Sequence, residues 1–170
     1  ELVQQLVYAP LGGHAAFGNP GLAAEPQPWG HIRTMPGRVT EVMPAYPTYT
    51  TPPAMDPAGD ASPPMPDFGR FLQLHLRGLR GRDDGLKATT IQDLHRRVAL
   101  GWTVLPRNGV DSHEHFGSSG AYVAFATIQP SRDMAVAVLT NIGGVEGLRD
   151  SVARVALRIA TRLATAGKAD

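Results

Sequence analysis

Apolar residues are spread unevenly along the chain, and their spacing divides it into two halves. In the second half, residues 122–128 and 134–139 are nearly continuous runs of Ala, Val, Ile, Phe, Met and Leu. Runs of this kind mark strands covered on both faces. The turn between them, Pro130 to Asp133, is short, so they must be antiparallel neighbours. Upstream, residues 100–105 read as a strand with Gly101 and Trp102 inside it, and 111–116 as the next. Arg107, Asn108 and Gly109 form the hairpin turn between them, because Asn-Gly accepts the positive φ angles of a two-residue loop. After Gly143 and Gly144 the spacing becomes helical. Leu148, Val152, Val155, Ala156, Ile159 and Leu163 predict a helix over 145–164 with that stripe buried and Arg149, Arg154, Arg158 and Arg162 largely off it.

The first half is interrupted more often. Leu2, Val3, Leu6 and Val7 have helical spacing, so residues 1–8 read as the last turns of a helix, stopped by Pro10 and Gly12-Gly13. Residues 30–35 and 39–43 read as short strands around the turn Pro36-Gly37. Residues 44–66 are too proline-rich for a central strand or helix and are expected to be an ordered meander, with disorder in part of 46–57 as the alternative. Residues 67–79 form the clearest amphipathic helix of this half, with Phe68, Phe71, Leu72, Leu76 and Leu79 on one face. Pro66 suits its first turn, Asp67 suits its positive end, and Gly78 and Gly81 help to stop it. Thr89 or Thr90 caps a short helix over 91–97 that buries Ile91 and Leu94. The implied fold is α+β, an antiparallel meander sheet with a long C-terminal helix packed on one face.

Composition narrows the function classes. At 170 residues and 42% hydrophobic, the chain suffices for one folded domain. A net charge of +1 without a basic block leaves no electrostatic footprint for nucleic acid. No apolar run approaches the roughly 20 residues of a membrane helix. Cysteine is absent, which excludes disulfides, thiolate nucleophiles and Cys-based zinc sites. Glu1 is not an initiator Met and no signal-peptide pattern follows it, so the chain is expected to be a processed or truncated product.

Candidate chemistry concentrates in residues 113–122, where His113, His115, Gly117, Ser118, Ser119 and Tyr122 cluster beside the apolar strands. Strand alternation puts His113 and His115 on one face, where two imidazoles could bind zinc with Glu114, Asp111 or His31 as a third ligand. No third ligand is signalled, and no metal is assigned. The plain alternative for His115 is a structural hydrogen bond at a strand end. His75 and His95 lie on helices as structural or exposed residues, and Trp29 and Trp102 read as packing. Asp60 is either a turn residue or a pocket acid, and the Gly-Asp step before Ala-Ser suits a turn.

Several pieces line up, in order, with one family. Pro10 to Gly13 resembles the segment after the helix that follows that family's second motif. Pro57 to Ser62, then Asp67 to Phe71, resembles its "AGG…S…DLARF" region. Gly101-Trp102 resembles its "GWG" strand, His115-Phe116-Gly117 the "HxG" form of its lysine-threonine-glycine motif, and Pro130 to Asn141 its closing hairpin ending in "TN". Asp60 replaces a usual glycine, and Phe116 is bulkier than the usual middle residue. In this ordered set the chain resembles the serine β-lactamase and penicillin-binding-protein-like family (class C β-lactamases, DD-peptidases and related esterases), over its C-terminal portion only. The resemblance divides residues 1–170 into a helix end and meander (1–66), helices (67–97), and strands with the C-terminal helix (98–170) of a single β-lactamase/transpeptidase-like domain.

That resemblance implies acyl transfer by a serine, which a lysine one helical turn later activates. His115 would be the third-motif base or electrostatic partner, because an imidazole titrates near working pH. Gly117 would let substrate lie close along the strand. The Ser118 N–H would be one of two oxyanion donors, and Ser119, Tyr122 and Asp60 would line the substrate pocket. No cofactor is implied. No Ser in the chain is followed three residues later by Lys, and no Tyr-x-Asn or Ser-x-Asn occurs. The chain alone is therefore expected to be inactive, completing a site whose nucleophile lies in the missing N-terminal part. Its partners would be that part and an ester, amide, β-lactam or peptidoglycan-like substrate. Apolar surface on 122–128 and 134–139 would otherwise be exposed and drive a homodimer through the sheet. The reading from another class is a non-catalytic interaction or assembly domain with the same fold. Histidine in the third motif leans toward esterase or peptidase over β-lactamase, and export is favoured slightly over the cytoplasm because exported relatives are common.

Overall fold

The computed structural model describes residues 2–18, 27–43, 52–96 and 100–166. A π-helical turn, Gln4–Tyr8, and a 3-10 turn, Ala9–Leu11, open the chain and end at Gly12 in the left-handed region. Then come β1 (Ala16–Phe17), β2 (Gly30–Met35) and β3 (Arg38–Val42). A 3-10 turn, Pro53–Met55, runs into α1 (Asp56–Gly59), followed by β4 (Ala61–Ser62), α2 (Met65–Leu79) and α3 (Ala88–Leu94). The second half holds β5 (Thr103–Arg107), β6 (Val110–Ser118), β7 (Val123–Gln129), β8 (Met134–Thr140), β9 (Ile142–Gly143) and α4 (Leu148–Ala166).

The main sheet has the order β5-β6-β7-β8, each strand antiparallel to its neighbours. Its turns are those the sequence calls for. Asn108 and Gly109 both have positive φ in the β5–β6 hairpin, and Asp133 has φ 51 before β8. Strand alternation sorts β7 cleanly. Val123 and Phe125 join Met134 and Val136 under Val152, Ala156 and Ala160 of α4. Ala126 and Ile128 turn the other way, onto Leu72 and Leu76 of α2 and onto Trp102. The architecture is thus α+β in three layers, with a helix on each face of an antiparallel sheet.

This covering corrects two expectations. The apolar surface of residues 122–128 is not left bare, because α2 of this same chain covers the face opposite α4. β7 is buried along nearly its whole length, and Ile128 is fully buried. The stripe of α4 is also displaced. Val152, Ala156 and Ala160 are buried, whereas Val155, Ile159 and Leu163 are exposed. Small Ala side chains let the helix lie close on β7 and β8, and the larger residues of the predicted stripe flank that contact. At the other end, Leu2 and Leu6 are each 69% exposed and only Tyr8 is buried. Exposed apolar side chains thus include Leu2 and Leu6 of the first helical turn, Val155, Ile159 and Leu163 of α4 and Leu139 of β8, whereas β7 is covered.

Other boundaries shift for local reasons. α2 begins at Met65, two residues early, because Pro66 fits its first turn, and helical turns also occupy Pro53–Met55 and Asp56–Gly59 within the proline-rich run. Residues 44–51 of that run lie outside the described residues. α3 begins at Ala88 rather than after Thr90. Its N-terminus is capped from outside by Asp83 Oδ1, which accepts the Ala88 N–H at 2.8 Å. Arg97, at the expected end of that helix, lies outside the described residues. β5 starts at Thr103, so Gly101 and Trp102 precede the strand rather than lie within it. Gly78 does not stop α2. It lies inside the helix, where an added Cβ would meet Ile91 of α3 at 2.6 Å.

A second sheet, β3-β2-β9, lies across the end of the first. β2 pairs antiparallel with β3 around the Pro36-Gly37 turn and parallel with β9. Asn141 ties this junction, donating from Nδ2 to the Trp29 carbonyl at 2.9 Å. Where β9 crosses the β6–β7 loop, a Cβ at Gly143 would lie 1.8 Å from the Gly120 carbonyl oxygen. No side chain fits there.

The two glycines inside α2 give opposite expectations. Gly69 faces open space, so Gly69→Ala is expected to stabilise the protein by about 1 kcal/mol through helix propensity. Gly78→Ala is expected to destabilise it by about 1–3 kcal/mol by forcing α3 away. Thermal or urea denaturation of the two variants checks the pair.

Candidate functional site

The stretch 113–122 becomes a site because β5 is too short to cover β6. The last pair of that ladder is Thr103 with Glu114, so among the described residues no strand lies beside His115 to Ser118 on that edge. Gly101, with φ 97, turns the incoming chain aside at this point. On its other edge β6 remains paired with β7 through Ser118 and Val123. The Ser119 N–H bonds the Tyr122 carbonyl at 3.1 Å. By the alternation of an antiparallel ladder, the Ser118 N–H then faces the open edge.

His115 is exposed, and its Nδ1 is hydrogen-bonded to the Gly101 carbonyl oxygen. A carbonyl only accepts, so Nδ1 carries the proton and Nε2 of the neutral ring is an acceptor. A Cβ placed on Gly117 would have Nε2 as its nearest neighbour, at 3.9 Å. The imidazole and the bare strand surface at Gly117 therefore share one face of an open edge. Beside them lies a shallow pocket of about 160 Å³, lined by Gly101, Thr103, Glu114, His115, Phe116, Phe125 and Arg149. The Arg149 guanidinium lies 5.6 Å above the Phe116 ring. Glu114 is held by a two-pronged bond from Arg107, at 2.8 and 3.0 Å. That bond raises the pKa of Arg107.

The structure brings His115, Gly117 and the Ser118 N–H to one edge. Of the predicted residues only His115 lines that pocket. Ser118 Oγ accepts the Gly120 N–H at 3.1 Å, within the loop. Ser119 is exposed. Tyr122 donates from its hydroxyl to the Pro28 carbonyl at 2.9 Å, and burial raises its pKa. Asp60 ends α1, and its carbonyl accepts the Gly18 N–H. Among the described residues no three His, Asp or Glu side chains converge on a metal position. His113 turns toward His95 and His115 toward Gly101, while Glu114 points to the opposite face.

One feature escaped the sequence reading. His75, His95 and His113 form a hydrogen-bonded row. His75 Nδ1 lies 2.8 Å from His95 Nε2, and His95 Nδ1 lies 3.1 Å from His113 Nδ1. His75 and His95 are buried against Trp102, which stacks on His95 at 4.5 Å and meets His115 edge-on at 6.0 Å. A neutral imidazole has one donor and one acceptor. His95 must therefore donate along one of its two bonds and accept along the other. Burial lowers the pKa of His75 to about 4. Burial, then the neighbouring His75 and His113, lowers that of His95 to about 3. Burial also lowers that of His113, against a smaller opposing pull from Asp111. Helical spacing could place His75 on the inner side of its helix, but nothing local signals that three rings from distant segments meet.

The family model described as Beta-lactamase matches residues 1–161. Among solved structures, the chain is similar to an octameric penicillin-binding protein homologue from Pyrococcus abyssi, with a TM-score of 0.67 and 18% sequence identity. That match covers 93% of this chain and 37% of the other, so the chain spans little more than a third of that neighbour's length. At this identity the likeness speaks for the fold. A search of curated proteins finds no significant match.

The histidine row predicts acid lability. Unfolded histidine titrates near pH 6.5, whereas His75 and His95 stay neutral in the fold until about pH 4 and 3. Below about pH 6.5 the unfolded chain binds protons that the folded chain does not. Stability is thus greatest above that pH and is lost as pH falls toward 4. Each such histidine contributes a slope of about 1.4 kcal/mol per pH unit. Urea midpoints at about pH 7 and about pH 5 are expected to differ in that direction, and the difference is expected to shrink in His75→Gln.

Proposed function

The chain belongs to the β-lactamase family, and from that membership we propose that it is the C-terminal portion of a serine hydrolase domain, supplying the strand along which an acyl substrate lies. The observation that carries this reading is the open edge at His115 to Ser118, with a proton-accepting imidazole beside it. In this reading the nucleophilic serine and its lysine come from the missing N-terminal part of the same domain. The substrate is a small ester, amide or β-lactam, or a peptidoglycan-like peptide. Its backbone or equivalent runs past Gly117, which presents no side chain. His115 Nε2 accepts the proton released as the nucleophile attacks and returns it to the leaving group. The Ser118 N–H, facing the edge, is one oxyanion donor, an effect that commonly contributes about 3 kcal/mol to the transition state.

The same reading accounts for exposed apolar surface. Leu2, Leu6, Val155 and Leu163 are open, and β8 has no strand beyond it among the described residues. A covering segment from the N-terminal part would bury them, and a homodimer through the sheet edge is the competing occupant. Alone, the chain lacks Ser-x-x-Lys and Tyr-x-Asn and does not turn over.

A chromogenic short-chain ester tests this in the 170-residue chain and in a longer protein that carries the upstream segment. Turnover and a mass-detected acyl adduct are expected only in the longer protein, with the adduct upstream of Glu1. His115→Gln in that protein is expected to lower kcat/KM by about 10²–10⁴. Silence in both proteins would move the reading to a non-catalytic assembly domain, and activity in the short chain alone would overturn the assignment of roles.

A further inference from the structure

We infer that Trp102, clamped by buried imidazoles, is a positioning residue for His115: by fixing Gly101 it presents a carbonyl to Nδ1 and leaves Nε2 as the proton acceptor at the open edge. This rests on reading His115 as the base of the site.

Strand pairing does not hold the His115 ring. It sits at an exposed position of an unpaired edge, where a ring is free to rotate and exchange tautomers. Its Nδ1 finds one partner, the Gly101 carbonyl. Gly101 is itself exposed, lies at φ 97 and is the least constrained residue type, so the carbonyl needs an anchor. The next residue supplies it. Trp102 is buried among Leu72 and Leu76 of α2 and Ala126 and Ile128 of β7. Its indole stacks on His95 with an interplanar angle of 25° and packs against His75 at 5.3 Å. Those two rings are bonded to each other, and His95 is bonded onward to His113 of β6. The row thus ties α2, the end of α3 and the sheet around one indole. His113 is two residues from His115 on the same strand face, so both ends of the His115–Gly101 bond are referred to one rigid cluster. Which nitrogen of a histidine reacts is set by the hydrogen bond the other one makes. A shift of the indole would release the carbonyl and, with it, the choice of nitrogen.

Nitrogen-15 NMR of the 170-residue chain at a pH of about 9 reads the His115 tautomer directly. The unaltered chain is expected to show the Nδ1–H form. An Nε2–H ring there would overturn the inference without any variant. In Trp102→Phe the ratio of Nδ1–H to Nε2–H is expected to fall about fivefold, the equilibrium shift of losing one hydrogen bond of ordinary net strength. His95→Ala removes the ring against the indole while leaving Trp102 and Gly101 in place. It is expected to shift the ratio the same way, and it decides the matter if Trp102→Phe does not fold. His95→Phe restores an aromatic ring and is expected to restore the Nδ1–H form. A ratio unchanged in the folded variants would show that Gly101 is held by something else. Because this readout does not involve turnover, it separates from the hydrolase reading. The expected tautomers together with an ester activity indifferent to His115→Gln would sink that reading and leave the clamp standing.

Discussion

Burial of β7 on both faces is the constraint from which the remaining structure follows. A strand covered on each side needs two helices, and the chain provides them from opposite ends of its sequence, α2 before the sheet and α4 after it. With both faces occupied, the hydrogen-bonding edges are the free surface left to the sheet. β6 lies between β7 and the short β5, and β5 stops four residues before β6 ends. The open edge at His115 to Ser118 is therefore a direct result of unequal strand lengths under a fully covered sheet. The site needs no flexible loop to form it.

Much of this was legible in the sequence because it depends on local patterns. The apolar runs at β7 and β8 fixed both strands to within a residue, and Asn108-Gly109 located the hairpin. The amphipathic spacing of Phe68 to Leu79 located α2. The misses depend on contacts between distant segments. Helical spacing alone could not tell that Ala160 would face the sheet while Val155 and Leu163 would not, because close approach favours small residues and hydrophobicity scales favour large ones. Gly78 read as a helix stop because a packing glycine and a terminating glycine look alike in one dimension. Only the position of Ile91 distinguishes them.

The candidate site shows the same division. His115, Gly117 and Ser118 lie close together in sequence on one strand, so strand alternation alone brings them together. Asp60 and Tyr122 were attached to them by resemblance; Asp60 caps α1, and the Tyr122 hydroxyl bonds the Pro28 carbonyl from a distant segment. Trp102 read as simple packing, and it is buried. Its significance lies in its neighbours, since residues 75, 95 and 113 come from three separate elements. No periodicity within one element encodes such a meeting.

Because His95 spends both nitrogens on other imidazoles, the histidine row admits only two neutral proton arrangements, one the reverse of the other. Moving the two shared protons alone does not exchange them, because it leaves one end ring anionic and the other cationic until Nε2 of the first gains a proton and Nε2 of the second loses one. Neither proton can leave for water without separating the rings. The row is in this sense a lock whose hydrogens record how often α2, α3 and β6 part. Their exchange would time the breathing of the very junction that lies behind the open edge.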